Sequence, residues 1–288
     1  MMEAVDRSFL RFLVESHALP QGEWVRELTP ELLSWLGSTD AELRDEFAYP
    51  ILTGWIERGQ YGPDELRGIA GQMLGNLGKG LGESGTDSVF LRSFSALILM
   101  EVVARDNAEP FMDQQELRDL LGGALDYLRR ERDLRGWVEG LGWAHAVAHT
   151  ADLLMMLSRS RHLGAVELAG LLDGIADRLL TESDAVFLHQ EDERLAYAVL
   201  NVLRRGLLDR AAVNRWLGRF VRPPGYDSWQ PVFAEPGLTV ARVNVTSFLR
   251  SLYFQLLLTK AAPDELERLL ESVVEVLREM DIGFYELS

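Results

Sequence analysis

Apolar residues recur along this chain mainly with the spacing of an α-helix. The clearest example is the segment 263–280, whose apolar face consists of Leu266, Leu270, Val273, Leu277 and Met280. No segment shows a convincing alternation of apolar and polar residues between turn signals, as a half-buried strand would. The pattern predicts an all-α protein of about ten to twelve helices.

Many of the predicted helices fall into antiparallel pairs of about 40 residues, the scale of HEAT or armadillo repeats. No consensus recurs at a fixed period. We therefore predict an irregular α-solenoid or αα-superhelix, HEAT/armadillo-like, forming a single all-helical domain over residues 1–288. A single compact helical domain is the alternative architecture.

Residues 221–240 interrupt the helical pattern with a proline-rich irregular loop. The segment contains Pro223, Pro224, Pro231 and Pro236, with the aromatic residues Tyr226, Trp229 and Phe233 between them. A connection of this length without its own helix is often a lid or a binding loop. It can equally be an irregular strap that its aromatic residues pack onto the surface.

The glycine-rich segment 75–86 contains a literal match to the dinucleotide-binding pattern at Gly80, Gly82 and Gly85. That fingerprint requires a strand before the glycines, and here a helical pattern precedes them. The segment is therefore predicted to be a loop between two helices, and no cofactor-binding residue is predicted.

Composition places the chain among ordinary globular proteins, with 47% hydrophobic and 26% charged residues. The beginning of the chain lacks the pattern of a signal peptide, and the apolar-rich stretch 94–100 is far shorter than the roughly 20 residues of a membrane span. We expect a cytoplasmic protein without a membrane partner.

The balance of charged residues is acidic, with 29 basic and 45 acidic side chains giving a net charge of −16. No basic block is present, so a nucleic-acid partner is disfavoured. The absence of cysteine rules out disulfides, thiolate catalysis and cysteine-ligated zinc.

The stretch 132–157 carries the strongest candidate chemistry. His145, His149 and Asp152 stand at i, i+4 and i+7, which places them on one stripe of a helix predicted to include Trp143. The other positions of this helix are almost all apolar. The polar stripe is therefore expected inside the protein or on the wall of a cleft, where something must satisfy it.

Three interpretations of this stripe compete. The histidines and Asp152 could ligate a divalent metal, since two histidines at i, i+4 are the spacing of helical zinc sites, although the segment HAVAH lacks the glutamate of a metalloprotease. They could form an acid–base site with Asp152 or Glu139 as the orienting carboxylate. They could also be a structural hydrogen-bond network between helices, which we favour because buried polar networks are common.

Glycines are concentrated just before this helix, at positions 136, 140 and 142, around Trp137, Glu139 and Trp143. They permit a tight turn and a close approach of the backbone to a ligand or to an adjoining helix. A second polar group lies at 188–194. Its acidic residues are typical of a helix start, but Glu191 or Asp192 could also face the histidine stripe.

Several segments resemble a bacterial family known only as a conserved domain of unknown function. They are ELRDEFAYPIL (42–52), FLRSFSALIL (90–99), DLRGWVEGLGWAHAVAHTADLL (133–154), HQEDERLAYAVL (189–200) and NVTSFLRSLYFQL (244–256). In the central motif Trp137 stands where the family usually has tyrosine and Leu141 where it has lysine. The resemblance implies an all-helical, armadillo-like fold and no established activity. It groups the matched positions Arg92, Glu139, His145, His149, Asp152, Glu191, Asp192 and Asn244.

Two functions are compatible with these observations. The first is a helical-repeat protein that binds a protein or small-molecule ligand without catalysis. Its polar cleft would surround the histidine stripe and include Arg92, Trp137, Trp143, Glu191, Asp192 and Asn244. The second is a metal-dependent hydrolase, in which His145 and His149 hold a divalent ion and Glu139 or Asp152 activates water.

Overall fold

The computed structural model describes residues 6–16, 23–259 and 263–281, and within them the protein is all-α apart from one small hairpin. These residues form twelve α-helices, as the periodicity predicted. They divide by compactness into two units, with the boundary between Leu153 and Leu154. A single domain over 1–288 and a solenoid arrangement both stay predictions.

The first unit contains six complete helices, a π-helical segment, a two-stranded hairpin and the start of α7. Its elements are α1 (Arg7–Ser16), α2 (Glu23–Trp35), the π-helical segment Glu42–Ala48, α3 (Tyr49–Glu57), α4 (Pro63–Asn76), α5 (Ser88–Ala108), α6 (Gln114–Arg130), β1 (Trp137–Val138), β2 (Gly142–Trp143) and α7 (Ala146–Ser158).

Helix α5 is the centre of this unit, because it is apolar on nearly all sides and packs against both α3 and α4. The glycine-rich loop lies between α4 and α5, as expected. Gly80, Gly82 and Gly85 all adopt positive φ there, a conformation that glycine adopts without strain.

The second unit contains the end of α7, five further helices and two short 3₁₀ segments. Its elements are α8 (Ala165–Leu180), α9 (Glu191–Arg204), α10 (Arg210–Gly218), the 3₁₀ segments Arg219–Val221 and Gln230–Phe233, α11 (Pro236–Leu258) and α12 (Pro263–Met280). Helices α9 and α11 pack along each other and form its core with α8.

The proline-rich segment is shorter than the sequence predicted. Helix α11 begins at Pro236, because proline fits the first turn of a helix, where its missing N–H leaves no bond unmade. The predicted loop 221–240 therefore ends five residues too late. Trp229 is buried and donates from Nε1 to the carbonyl of Phe220 at 2.9 Å. This arrangement matches a strap packed by its aromatic residues.

No helix within the described ranges is long and apolar enough to cross a membrane.

Candidate functional site

A β-hairpin occupies the stretch just before α7, where the sequence predicted the beginning of a helix. Trp137 pairs with Trp143 and Val138 with Gly142, so the turn is 139–141. Directly opposite residues of a hairpin project to the same face, and both tryptophans are exposed, Trp137 by 53% and Trp143 by 36%. The placement of Trp143 in a helix was therefore wrong. Glu139 lies exposed in the turn.

The other side of the hairpin is held by the π-helical segment through Arg44, which is completely buried. Arg44 donates from Nη2 to the carbonyl of Leu141 at 2.5 Å and from Nη1 to that of Ser38 at 2.6 Å. It also forms a two-point ion pair with Asp45, at 2.8 and 3.2 Å. The Asp45 carboxylate in turn accepts the backbone N–H of Trp143. Two adjacent residues of one helix thus hold both the turn and a strand.

Burial raises the pKa of the Asp45 carboxyl, although the bonds from Arg44 and from the Trp143 amide oppose this shift. The Arg44 guanidinium also lies over two aromatic rings, 4.1 Å from the centroid of Phe90 and 5.0 Å from that of Phe94. A buried arginine is stable here because carbonyl, carboxylate and aromatic groups surround its charge.

Gly142 is the position at which the hairpin meets this support. Its φ is +81°, and a Cβ placed there would lie 2.8 Å from both Arg44 Nη2 and Asp45 Oδ2. Any other residue would clash and would also strain the backbone. The sequence suggested that these glycines let the backbone approach either a ligand or an adjoining helix. At Gly142 the backbone closely approaches the π-helical segment.

His145 is not part of α7, which begins at Ala146, so the three-residue stripe on one helix was also wrong. His145 adopts φ +54°, a left-handed conformation that is uncommon for residues other than glycine, although histidine adopts it more often than most residues do. This conformation turns the chain from β2 into α7. The His145 N–H donates to the carbonyl of Arg135 at 3.0 Å, and the His145 carbonyl accepts the N–H of His149. Its ring stacks on Trp143, with centroids 4.4 Å apart and planes at 19°.

His149 lies one turn into α7 and contacts α5. The Ser93 hydroxyl donates to the carbonyl of Ala144, and its oxygen lies 2.6 Å from Nδ1 of His149. A hydroxyl has a single proton, so this geometry assigns the proton of the second bond to His149 Nδ1. In the neutral tautomer that carries this proton, Nε2 is the acceptor nitrogen. The imidazole also packs edge-on against Phe94 at 5.2 Å, and the two histidine rings are 5.4 Å apart.

Asp152 is half-buried on α7 and belongs to a group of acidic residues. Tyr49 donates to Glu101 at 2.9 Å. Burial raises the pKa of Glu101, the bond from Tyr49 opposes this shift, and the charges of Glu57 and Asp152 add to it. Burial and the charge of Glu101 likewise raise the pKa of Tyr49.

The part of the chain that the structure describes contains no group of three or more histidine, cysteine, aspartate or glutamate residues that could hold a metal ion. His145, His149 and Asp152 as metal ligands therefore remain a prediction. The hydrogen bonds and ring contacts of the two histidines resemble the structural network that the sequence favoured.

Arg92 of α5 is completely buried and pairs with Glu131. Its Nε and Nη2 reach the two carboxylate oxygens at 2.6 and 3.0 Å, and Nη1 donates to Ser88 and to the carbonyl of Lys79. This pair ties α5 to the chain that follows α6. Its contacts are those of a structural residue.

The remaining candidates lie in the second unit. Glu191 accepts the backbone N–H of His189 at 2.8 Å, which is the role of an acid at a helix start. Asp192 accepts the hydroxyl of Ser251 at 3.0 Å, linking α9 to α11. Asn244 of α11 accepts from the N–H of Phe187 and donates to the carbonyl of Ala185. Each has a local structural partner. Their membership in one cleft with His145 stays a prediction.

Several residues of the site were not predicted from the sequence, although they lie in the motifs by which the chain resembles its family. Arg44, Asp45 and Tyr49 lie in ELRDEFAYPIL, and Ser93 lies in FLRSFSALIL. The signal that could have identified them is a polar residue inside an otherwise apolar helical segment. Their long-range partners could not be inferred, because the bonds from Arg44 to Leu141, from Tyr49 to Glu101 and between Ser93 and His149 join residues that are distant in sequence.

The model of the family described as "Protein of unknown function (DUF2785)" matches residues 77–254. This range includes the hairpin, α5 and both histidines. No curated protein and no solved structure matches the chain.

Proposed function

We propose that this chain, which belongs to the DUF2785 family, is a binding module whose contact surface is the outward face of the hairpin, formed by Trp137 and Trp143. The ligand would be a protein or a small molecule, and no catalytic step is required. The observation that carries the proposal is the exposed cross-strand tryptophan pair, supported from behind by a buried arginine.

Tryptophan is usually highly buried, and two adjacent exposed indoles leave a large apolar area in contact with water. Each square ångström of that area costs about 25 cal/mol. The fold nevertheless holds both rings outward, with Arg44 and Asp45 fixing the backbone behind them. A preorganised aromatic surface of this kind favours binding, because little side-chain freedom is lost when a ligand arrives.

The conformation of His145 supports the same interpretation. Left-handed backbone in such a residue costs about 1–3 kcal/mol and is concentrated at functional sites. Here it brings the imidazole under Trp143, where the stacked ring fixes the indole. The left-handed backbone of His145 thus helps to fix the orientation of Trp143 on the surface that we propose to be functional.

Ser93 argues against a serine nucleophile at this site. Its side chain is fully buried, and its only proton goes to the carbonyl of Ala144. His149 then contributes Nδ1–H to the Ser93 oxygen and is not placed to remove a proton from it.

The alternative function is a metal-dependent hydrolase. It is favoured by the 5.4 Å separation of the two imidazole centroids and by the assignment of His149 Nε2 as the acceptor nitrogen. His145 and His149 would then be metal ligands, with Asp152 as a further candidate. A divalent ion would polarise a bound water or a substrate oxygen.

The proposal is tested by ligand-observed NMR with a mixed fragment set of ammonium compounds, sugars, aromatic acids and short peptides. We expect some fragments to bind the wild type and to bind the Trp137→Ala variant at least tenfold more weakly. Trp24→Ala is the matched control, because Trp24 is 55% exposed on α2, outside the hairpin. Equal binding to wild type and Trp137→Ala for every fragment would refute the proposal.

The hydrolase alternative makes a different prediction for the same protein preparation. Elemental mass spectrometry would find a near-stoichiometric divalent metal in the wild type and none in a folded His145→Ala/His149→Ala variant. Fragments would also be consumed during the NMR measurement. Either result would replace the binding proposal with the enzymatic one.

A further inference from the structure

We infer that the group bound by the tryptophan pair is an alkylated ammonium cation, either as a free small molecule or at the end of a modified lysine side chain. This inference rests on the proposed function, since it names the ligand class of the same surface. It follows from the mutual angle of the two indoles and from the charges around them.

The two indole planes are nearly perpendicular, at 78°, with ring centroids 5.0 Å apart. The rings are in edge-to-face contact, and the corner beside this contact complements a compact rounded group better than a flat one. The face of an indole carries negative quadrupole charge, and tryptophan is the best aromatic partner for a cation. Since both rings are exposed, such a group can approach from solvent.

Carboxylates lie next to this corner. Glu139 is exposed in the turn, two residues after Trp137 in the chain. Asp45 binds the backbone of Trp143, and its side chain remains 22% exposed. The charge of Asp45 is balanced by its ion pair with Arg44, so the carboxylate that attracts a cation here is Glu139.

The arginines that support this region do not cancel that attraction. Arg44 lies buried behind the hairpin and is paired with Asp45. Arg135 is paired with Asp133, through Nε at 2.8 Å and Nη2 at 2.6 Å. The whole chain has a net charge of −16, so the long-range field also favours cations over anions.

A neutral sugar is the principal competing ligand, because sugars also stack on tryptophan and bond to carboxylates. A sugar ring presents a flat face, however, and would use one indole while the other stood edge-on to it. The corner geometry therefore favours the ammonium group, and sugars serve as the contrasting probe.

The test compares choline with dimethylbutanol, the neutral isostere in which carbon replaces the nitrogen. Both give one sharp methyl singlet, so the same NMR titration follows each on the full-length chain. We expect choline to bind roughly 3- to 30-fold more tightly than the isostere, the range that a cation–π contribution gives. A trimethyl-lysine amide, titrated in parallel, distinguishes a side-chain source from a free small molecule.

Three variants locate the effect. Trp137→Ala should weaken the binding of choline, whereas Trp24→Ala should leave it unchanged. Glu139→Gln should weaken choline a few-fold and leave the neutral isostere unchanged, because only the charged ligand senses the carboxylate. Glu139 is exposed in a turn, so this variant is expected to fold.

The results of these titrations test the cation inference and the proposed binding function separately. Equal affinity for choline and its isostere would overturn the cation inference, as would Trp137-dependent binding of methyl glucoside with no response to choline. Both results would leave the proposed binding function standing. That function fails only if no fragment of any class depends on Trp137.

Discussion

Two residues show how the geometry of this surface depends on single backbone conformations. Gly142 and His145 both adopt positive φ, at +81° and +54°, on either side of Trp143. The first brings the strand against Arg44, and the second places an imidazole under the indole. The orientation of Trp143 is therefore set by its neighbours in sequence as well as by packing.

Gly142→Ala is expected to destabilise the protein by about 2–3 kcal/mol, because a Cβ would meet Arg44 and Asp45 in addition to straining φ. Gly140→Ala is the matched control. Its φ is +75°, but a Cβ there would meet no atom within 4 Å, so only the strain of about 1 kcal/mol applies. Urea unfolding measures both. Equal losses would contradict the close approach at Gly142.

At His145 the expected order of stability is unusual, with glycine better than alanine. Both substitutions remove the stacked ring, but only alanine retains the cost of left-handed backbone, about 1–2 kcal/mol. Denaturant unfolding of the two variants should therefore favour His145→Gly by roughly that amount. An alanine variant of equal or greater stability would mean that residue 145 is not held at positive φ.

At the scale of elements, the helices could be predicted from the sequence and the hairpin could not. The 3.6-residue period is repeated over many turns in segments such as α12, so the signal accumulates. A strand of two residues contains no alternation that could be recognised. The segment from Trp143 to Leu157 is nearly uniformly apolar, and this favoured extending the helix across its true start at Ala146.

The two histidines could be predicted from the sequence as buried polar residues. Their hydrogen-bond partners could not. His149 bonds to Ser93, which lies 56 positions earlier in the chain. Arg44 bonds to Leu141 across a separation of 97. Spacing within one segment carries no information about such contacts. Arg92 differs, since a charged residue on a strongly apolar helix is expected to have a buried partner of opposite charge, here Glu131.

Removing one partner of the buried Arg92–Glu131 ion pair, which links α5 to the chain after α6, should destabilise the protein strongly. Replacing Arg92 with methionine leaves Glu131 buried without its cation, so we expect a loss of about 3–5 kcal/mol in the free energy of unfolding. Arg130→Met is the control, because its pair with Asp126 is exposed and contributes about 0.5 kcal/mol. Similar losses in both variants would show that burial does not distinguish the two pairs.

At the scale of the whole molecule, the acidic group around Glu101 should make stability depend on pH. In the folded state, burial is the main cause that raises the pKa of Glu101 above its ordinary value of 4.5. The folded state therefore holds this proton more tightly than the unfolded state does. The resulting stabilisation is fully present below the ordinary pKa and is lost as pH rises through the folded pKa.

Glu101→Gln removes this titration and keeps an oxygen that can accept from Tyr49. We expect the stability of the variant relative to the wild type to increase as pH rises from 4 towards 7, measured by unfolding at fixed salt. A difference that is independent of pH would show that Glu101 has the same pKa in both states.

The proposed binding function depends on the outward tryptophan pair. The fragment measurement on wild type, Trp137→Ala and Trp24→Ala tests this dependence directly. Both substitutions remove one exposed indole from the first unit, but only one lies on the hairpin. We expect fragment binding to be lost in Trp137→Ala and retained in Trp24→Ala. Identical fragment binding by all three proteins would contradict this expectation.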